Sequence, residues 1–187
     1  MPDPDTPHFS SGSPDLVFPL VIFDDVLWPA DSWATLIRAV AMPEPYRELL
    51  VHNEHMTVTV EAHYGAPVDV RVLQADRFGD FYHRRIVLVP QGTNRVVQYG
   101  LVRINLACCS APVRDAILAQ KTPLGRILID HNVLRRVEPT SFLRIDPGPS
   151  LSEAMHLAAP TPLYGRTGVI FFNDRPAVAV LEVLAPV

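Results

Sequence analysis

The sequence predicts an α+β fold with a single antiparallel β-sheet and helices packed on it. Three observations carry that expectation. Apolar residues alternate with polar ones in several runs of strand length. Short turns join those runs, and such turns connect antiparallel neighbours but not parallel ones. Helical spacing is confined to separate blocks, without the strand-helix alternation of a parallel sheet. With 187 residues, 48% hydrophobic and 19% charged, the chain has the balance of one globular domain.

Residues 1–14 are Pro, Ser, Asp and Gly with little to bury and are predicted to form a flexible N-terminal arm, leaving 15–187 as the domain. An apolar stretch from Val17 to Phe23 leads to a helix over Ala30–Ala41, where Trp33, Leu36, Ile37 and Val40 recur at helical spacing. A short helix is expected over Pro45–His52. Met56, Val58 and Val60 then alternate with Thr57, Thr59 and Glu61. After the punctuation Tyr64-Gly65-Ala66-Pro67, Val68, Val70 and Val72 alternate again, so the two runs read as a hairpin. Phe81–Val89 and Val96–Leu106 are further strands about a turn at Pro90–Asn94. Helices follow at Ala111–Gln120 and Pro123–Ile129, interrupting the strands. Leu134–Ile145 is extended, and Pro147–Pro162 is a proline-rich connection with a turn of helix near Glu153–Leu157. Gly168–Phe172, Asn173-Asp174 and Pro176–Leu184 close the chain as a hairpin.

The net charge of −4 gives no electrostatic reason to expect nucleic acid or an acidic membrane as partner. No apolar run reaches the roughly 20 residues of a membrane span. The only cysteines, Cys108 and Cys109, are adjacent, too close to staple a loop, and read as buried thiols in a reducing, cytoplasmic setting. Neither has a basic neighbour in sequence to activate it. His52 and His55 have turn spacing but no HExxH pattern, and read as surface histidines rather than metal ligands. No GxGxxG, P-loop or GxSxG motif is present, which argues against nucleotide binding by those loops and against a serine hydrolase.

Two charged residues stand out within apolar strands. Glu182 shares a face with Val178, Val180 and Leu184; if that face is covered, its carboxyl is protonated, paired or hydrogen-bonded, whereas a strand-end glutamate facing water fits the same pattern. Arg84 shares a face with Tyr82, Ile86 and Leu88, and Arg85 shares the other with His83 and Val87. In a central strand one of them points away from bulk water. Its planar fork then holds either a ligand carboxylate or a structural partner.

With these elements placed, Lys121-Thr122-Pro123-Leu124-Gly125-Arg126 and the extended Asn132–Val137 resemble a segment of the chorismate pyruvate-lyase family. His55-Met56-Thr57, Tyr82-His83-Arg84 with Gly92, Leu181-Glu182 and Ala185-Pro186 extend the resemblance over about Glu54–Pro186. The resemblance implies a chorismate-lyase-like fold with a helical lid at Ala111–Ile129. It also implies a lyase that eliminates pyruvate from chorismate to leave 4-hydroxybenzoate, a ubiquinone precursor of aromatic biosynthesis, with no metal or organic cofactor. In that reading Arg84 grips the ring carboxylate and Glu182 bonds the ring hydroxyl or, protonated by burial, acts as an acid. Met56 and Leu124 contact the ligand, and Arg103 matches a second family arginine. The alternatives are a non-catalytic, aromatic-acid-binding domain, as in the effector-sensing domains of transcription regulators that resemble this family, and a diverged enzyme acting on a related hydroxylated ring acid. The sequence shows no basic helix-turn-helix segment ahead of the domain, so the enzyme is the leading expectation.

Overall fold

The computed structural model describes residues 31–187. The arm predicted over 1–14 and the apolar stretch Val17–Phe23 lie outside the described residues. Seven strands form one antiparallel sheet: β1 (Trp33–Ile37), β2 (Val68–Phe78), β3 (Phe81–Pro90), β4 (Gln98–Asn105), β5 (Arg135–Asp146), β6 (Leu163–Phe172) and β7 (Arg175–Leu184). Their order across the sheet is β1-β5-β6-β7-β4-β3-β2. The α+β expectation holds, and β3, β4 and β7 are all interior strands, paired on both sides, where both faces have to be covered.

One face receives α1 (Tyr46–Leu50), α2 (Met56–Tyr64), α3 (Ala111–Leu118) and α4 (Leu124–Asp130). Tyr46, Leu49, Leu50, Met56 and Val60 pack there over Ile86, Leu88 and Leu184, while Val113, Ile117, Ile127 and Leu128 pack over Val102, Ile104 and Val180. The opposite face carries α5 (Pro149–Ala154), whose Leu151 joins Tyr99, Leu101, Leu181 and Val183. Each strand thus sends alternate side chains into two separate apolar layers, the arrangement that strand periodicity requires.

Two expected elements are corrected. The segment read as a helix over Ala30–Ala41 contains β1, which pairs with β5 alone, and a 3₁₀ turn at Ala39–Ala41. Of its apolar residues Trp33, Leu36 and Val40 are exposed, so the helical spacing marks no buried stripe; the inward residue is Ala34. The strand read over Met56–Glu61 is α2. Alternation put Met56, Val58 and Val60 on one face, but the helix buries Met56 and Val60, four apart, and leaves Val58 exposed. Gly65 ends this helix at φ 65°, the left-handed position that suits glycine. Tertiary burial has overridden the preference of β-branched residues for strands.

Candidate functional site

The floor of the site follows from strand register. Arg84 lies opposite Val102, and Val102 opposite Val180; Ile86 lies opposite Gly100, and Gly100 opposite Glu182. Directly opposed residues share a face, so Arg84 and Glu182 stand on the same, helix-covered side. They are two strands apart and offset by two residues, roughly 10 Å across the sheet and 7 Å along it.

A cavity of about 470 Å³ of atom-free space, its mouth included, lies above them, lined by Arg84, Ile86, Gln98, Gly100, Val180 and Glu182 from the sheet. Met56 and Thr57 at the start of α2, with Pro123, Leu124 and Gly125 at the start of α4, close it from above. The Lys121–Arg126 motif explains how these helix starts meet. A Cβ on Gly125 would come within 2.8 Å of Thr57 Oγ1, so α2 and α4 approach this closely only because residue 125 is glycine. Arg126, the next residue, donates to the Glu61 carboxylate on α2.

Arg84 is 1% exposed, yet its Nε and Nη1 have no hydrogen-bond partner among the described residues. Burial pulls the guanidinium below its ordinary value, with the Tyr82 side chain acting the other way. A buried cation left unpaired is expensive and uncommon, and marks either a functional site or a destabilised fold. The first N–H groups of α2, at Met56 and Thr57, are by geometry without helical acceptors and border the same space.

Glu182 is held differently. Arg166, directly opposite on β6 and 1% exposed, donates from Nε to Glu182 Oε2 at 2.8 Å. Arg166 Nη1 donates to the carbonyls of Leu50 at 3.1 Å and His52 at 2.7 Å, and Nη2 to that of Glu54 at 2.9 Å. One guanidinium thus ties β7 to the 50–54 segment that leads into α2. The contact is a charge-assisted hydrogen bond on one of the two Glu182 oxygens.

His55 is buried and His52 half-buried, against the surface positions expected for both. His52 donates from Nε2 to the Leu49 carbonyl at 2.8 Å and accepts from the Glu54 N–H at 3.1 Å. His55, 8% exposed and lining the cavity, accepts at Nε2 from Arg135 Nε at 2.6 Å. Burial, then the charges of Arg135 and Arg166, push His55 down to about 4, so it is neutral near pH 7. Burial and Arg166 also lower His52, against the Leu49 hydrogen bond. Cys108 and Cys109 are half-buried and free, and burial raises the Cys109 thiol to about 11. Among the described residues no cluster of His, Cys, Asp or Glu has metal-binding geometry.

The structure therefore brings Arg84, Glu182, Met56 and Leu124 to one cavity and leaves Arg103 out of it. Arg103 is on the other face of β4, its guanidinium 4.3 Å from the centre of the Phe81 ring, beside Asn105, Val169 and Pro176. Strand alternation excludes it: Val102 and Ile104 occupy the cavity side. Arg166 and Gln98 are the site residues that sequence reasoning did not single out.

No protein-family model matches the sequence, and no curated protein matches it. Among solved structures, PhnF from Mycobacterium smegmatis superposes with a TM-score of 0.53 at 13% identity, covering 70% of this chain and 63% of that one. The effector domain of PhnF gives 0.50 at 11% identity, covering 70% and 88%. The fold is chorismate-lyase-like. The ligand-binding domain of a regulator ascribed to the GntR family in Bordetella bronchiseptica gives 0.49 at 14% identity, covering 63% and 85%. The chain thus spans less than two thirds of PhnF but most of its effector domain.

These comparisons correct the enzyme expectation. At a TM-score of 0.50 this chain covers 88% of the effector domain of PhnF, which overturns the lyase expectation as the leading one. Among the described residues no helix is long and apolar enough to cross a membrane.

Proposed function

We propose that this chain is a non-catalytic sensing domain that captures a small organic acid, an aromatic acid foremost, in the cavity between the sheet and the starts of α2 and α4. The observation that carries the proposal is Arg84, buried at 1% exposure with Nε and Nη1 unpaired. A ligand carboxylate meets both needs, completing a charge-assisted fork and relieving an uncompensated buried cation. The N–H groups at the start of α2 add a favourable partial charge near the same anion. Ile86, Val102, Val180 and Leu124 supply the apolar surface for a flat ring. The likeness to an effector domain supports this reading at the level of fold. The partner is a small molecule rather than nucleic acid, and the setting cytoplasmic, in keeping with the net charge of −4 and two free cysteines.

Calorimetric titration with 4-hydroxybenzoate tests it. The expected result is binding to the wild-type protein, at least tenfold weaker in Arg84→Met, with no pyruvate released when the protein is incubated with chorismate. Absence of binding, or equal binding by the two proteins, rejects the proposal; release of pyruvate shows a catalyst instead of a sensor.

A further inference from the structure

Gln98 stands on β4 two residues from Gly100, on the cavity side, opposite Leu88 and Leu184. It is 4% exposed, lines the cavity, and its Oε1 is buried without a hydrogen-bond partner among the described residues. A buried amide carbonyl with no partner is costly; such a group persists where something else completes it.

Its position defines the other end of the pocket. Arg84 and Gln98 are separated by four residues of register, roughly 13 Å along the strands. Between them the Ile86 side chain lies over Gly100, where a Cβ would sit 3.1 Å from Ile86 Cδ1, so the stretch that separates the two polar groups is apolar. An acid whose carboxylate meets the Arg84 fork has Glu182, two residues of register along on β7, at its side and Gln98, two residues further, beyond it. Glu182 has given Oε2 to Arg166, so its other oxygen is the one left to a ligand. The cavity is thus polarised along the strands, with the donors of Arg84 at one end, the Glu182 carboxylate midway and the Gln98 carbonyl at the other end. Since Arg166 and Glu182 cancel, its net charge is that of Arg84 alone.

We propose that Gln98 is a specificity-determining residue that, together with Glu182, reads a neutral hydrogen-bond donor on the ligand. The ligand class is then a flat monoanionic acid with a donor at its far end, and an aromatic primary amine, with one hydrogen for each acceptor, fits better than a hydroxyl. This rests on the sensing function proposed above and adds the identity of the second polar contact.

The test compares 4-aminobenzoate, benzoate and 4-methoxybenzoate by calorimetry on wild-type, Gln98→Met and Arg84→Met proteins. In the wild type, 4-aminobenzoate is expected to bind roughly tenfold more tightly than benzoate, and 4-methoxybenzoate, which accepts but cannot donate, more weakly than benzoate. Gln98→Met is expected to remove most of the 4-aminobenzoate advantage and to change benzoate affinity less than twofold. Equal affinities for 4-aminobenzoate and benzoate in the wild type overturn the inference, as does a Gln98→Met loss that is the same for all three acids. Should Gln98→Met fail to fold, the wild-type ligand series alone decides. Acids that bind through Arg84 but ignore the donor sink the Gln98 assignment only. Acids that do not bind, or bind equally without Arg84, sink the sensing function and this inference with it.

Discussion

Two arginines, each 1% exposed, stand on the same face of the sheet and have opposite surroundings. Arg166 is satisfied by one carboxylate and three backbone carbonyls. Arg84 has two nitrogens without a partner. The difference separates a cation that the fold uses from one that the fold tolerates. Arg166 joins β6, β7 and the segment before α2 into one unit; removing it leaves Glu182 and three carbonyls unpaired. Arg84 makes no comparable link among the described residues, and its burial is what the proposed ligand carboxylate would offset.

Stability measurements break or sharpen that contrast most directly. Arg166→Met is expected to destabilise the protein by about 3–5 kcal/mol, as does the loss of one member of a buried ion pair. Arg84→Met is expected to be neutral or stabilising, because an uncompensated buried charge is replaced by an apolar chain of similar length. Urea denaturation of both variants checks this; comparable losses would mean that Arg84 has structural partners after all.

Next in size is an acid dependence. His55 is held at about 4 in the folded protein against 6.5 unfolded. Between these values the unfolded chain binds more protons, so stability rises with pH, is complete above about 6.5 and is lost as pH falls toward 4. The shift corresponds to about 3 kcal/mol. His55→Gln, which keeps an acceptor for Arg135, should flatten the denaturation midpoint between pH 6.5 and 4; an unchanged slope would assign the dependence to other groups. Smaller again is the binding effect at Arg84, where Arg84→Met should cost an aromatic acid about 1.5–3 kcal/mol, the range for a hydrogen bond to a charged group. Affinity retained in that variant would place the anion elsewhere.

How much of this was legible in the sequence differs by element. β3, β7, α3 and α4 follow from their periodicity and turn residues, and period-two counting placed Arg84 and Glu182 on definite strand faces. What alternation cannot supply is the choice between helix and strand for Met56–Tyr64, where β-branched residues fit a strand locally and only packing over Ile86 and Leu88 decides for the helix. Arg166 was hidden by a register shift. Counting back from the Asn173-Asp174 turn sets Gly165 opposite Glu182, but a bulge between Ile170 and Phe171 moves the pairing by one and brings Arg166 there. Gln98 gave no signal, since one amide in an apolar strand looks the same whether it faces a cavity or a neighbour.

The smallest expected effect concerns how the two helix starts are held over the cavity. In Gly125→Ala the new methyl meets Thr57 Oγ1 at 2.8 Å and Thr57 Cβ at 3.1 Å. Alanine favours a helix by about 1 kcal/mol over glycine, whereas overpacking costs typically 1–3 kcal/mol, so a net loss of about 1 kcal/mol is expected. If that loss arises from Thr57, the substitution in a Thr57→Ala background should show the helix gain alone, and a double-mutant cycle should return a coupling of at least 1 kcal/mol. Zero coupling would mean that α4 yields without resistance, and that the contact between α2 and α4 does not hold the roof of the cavity in place.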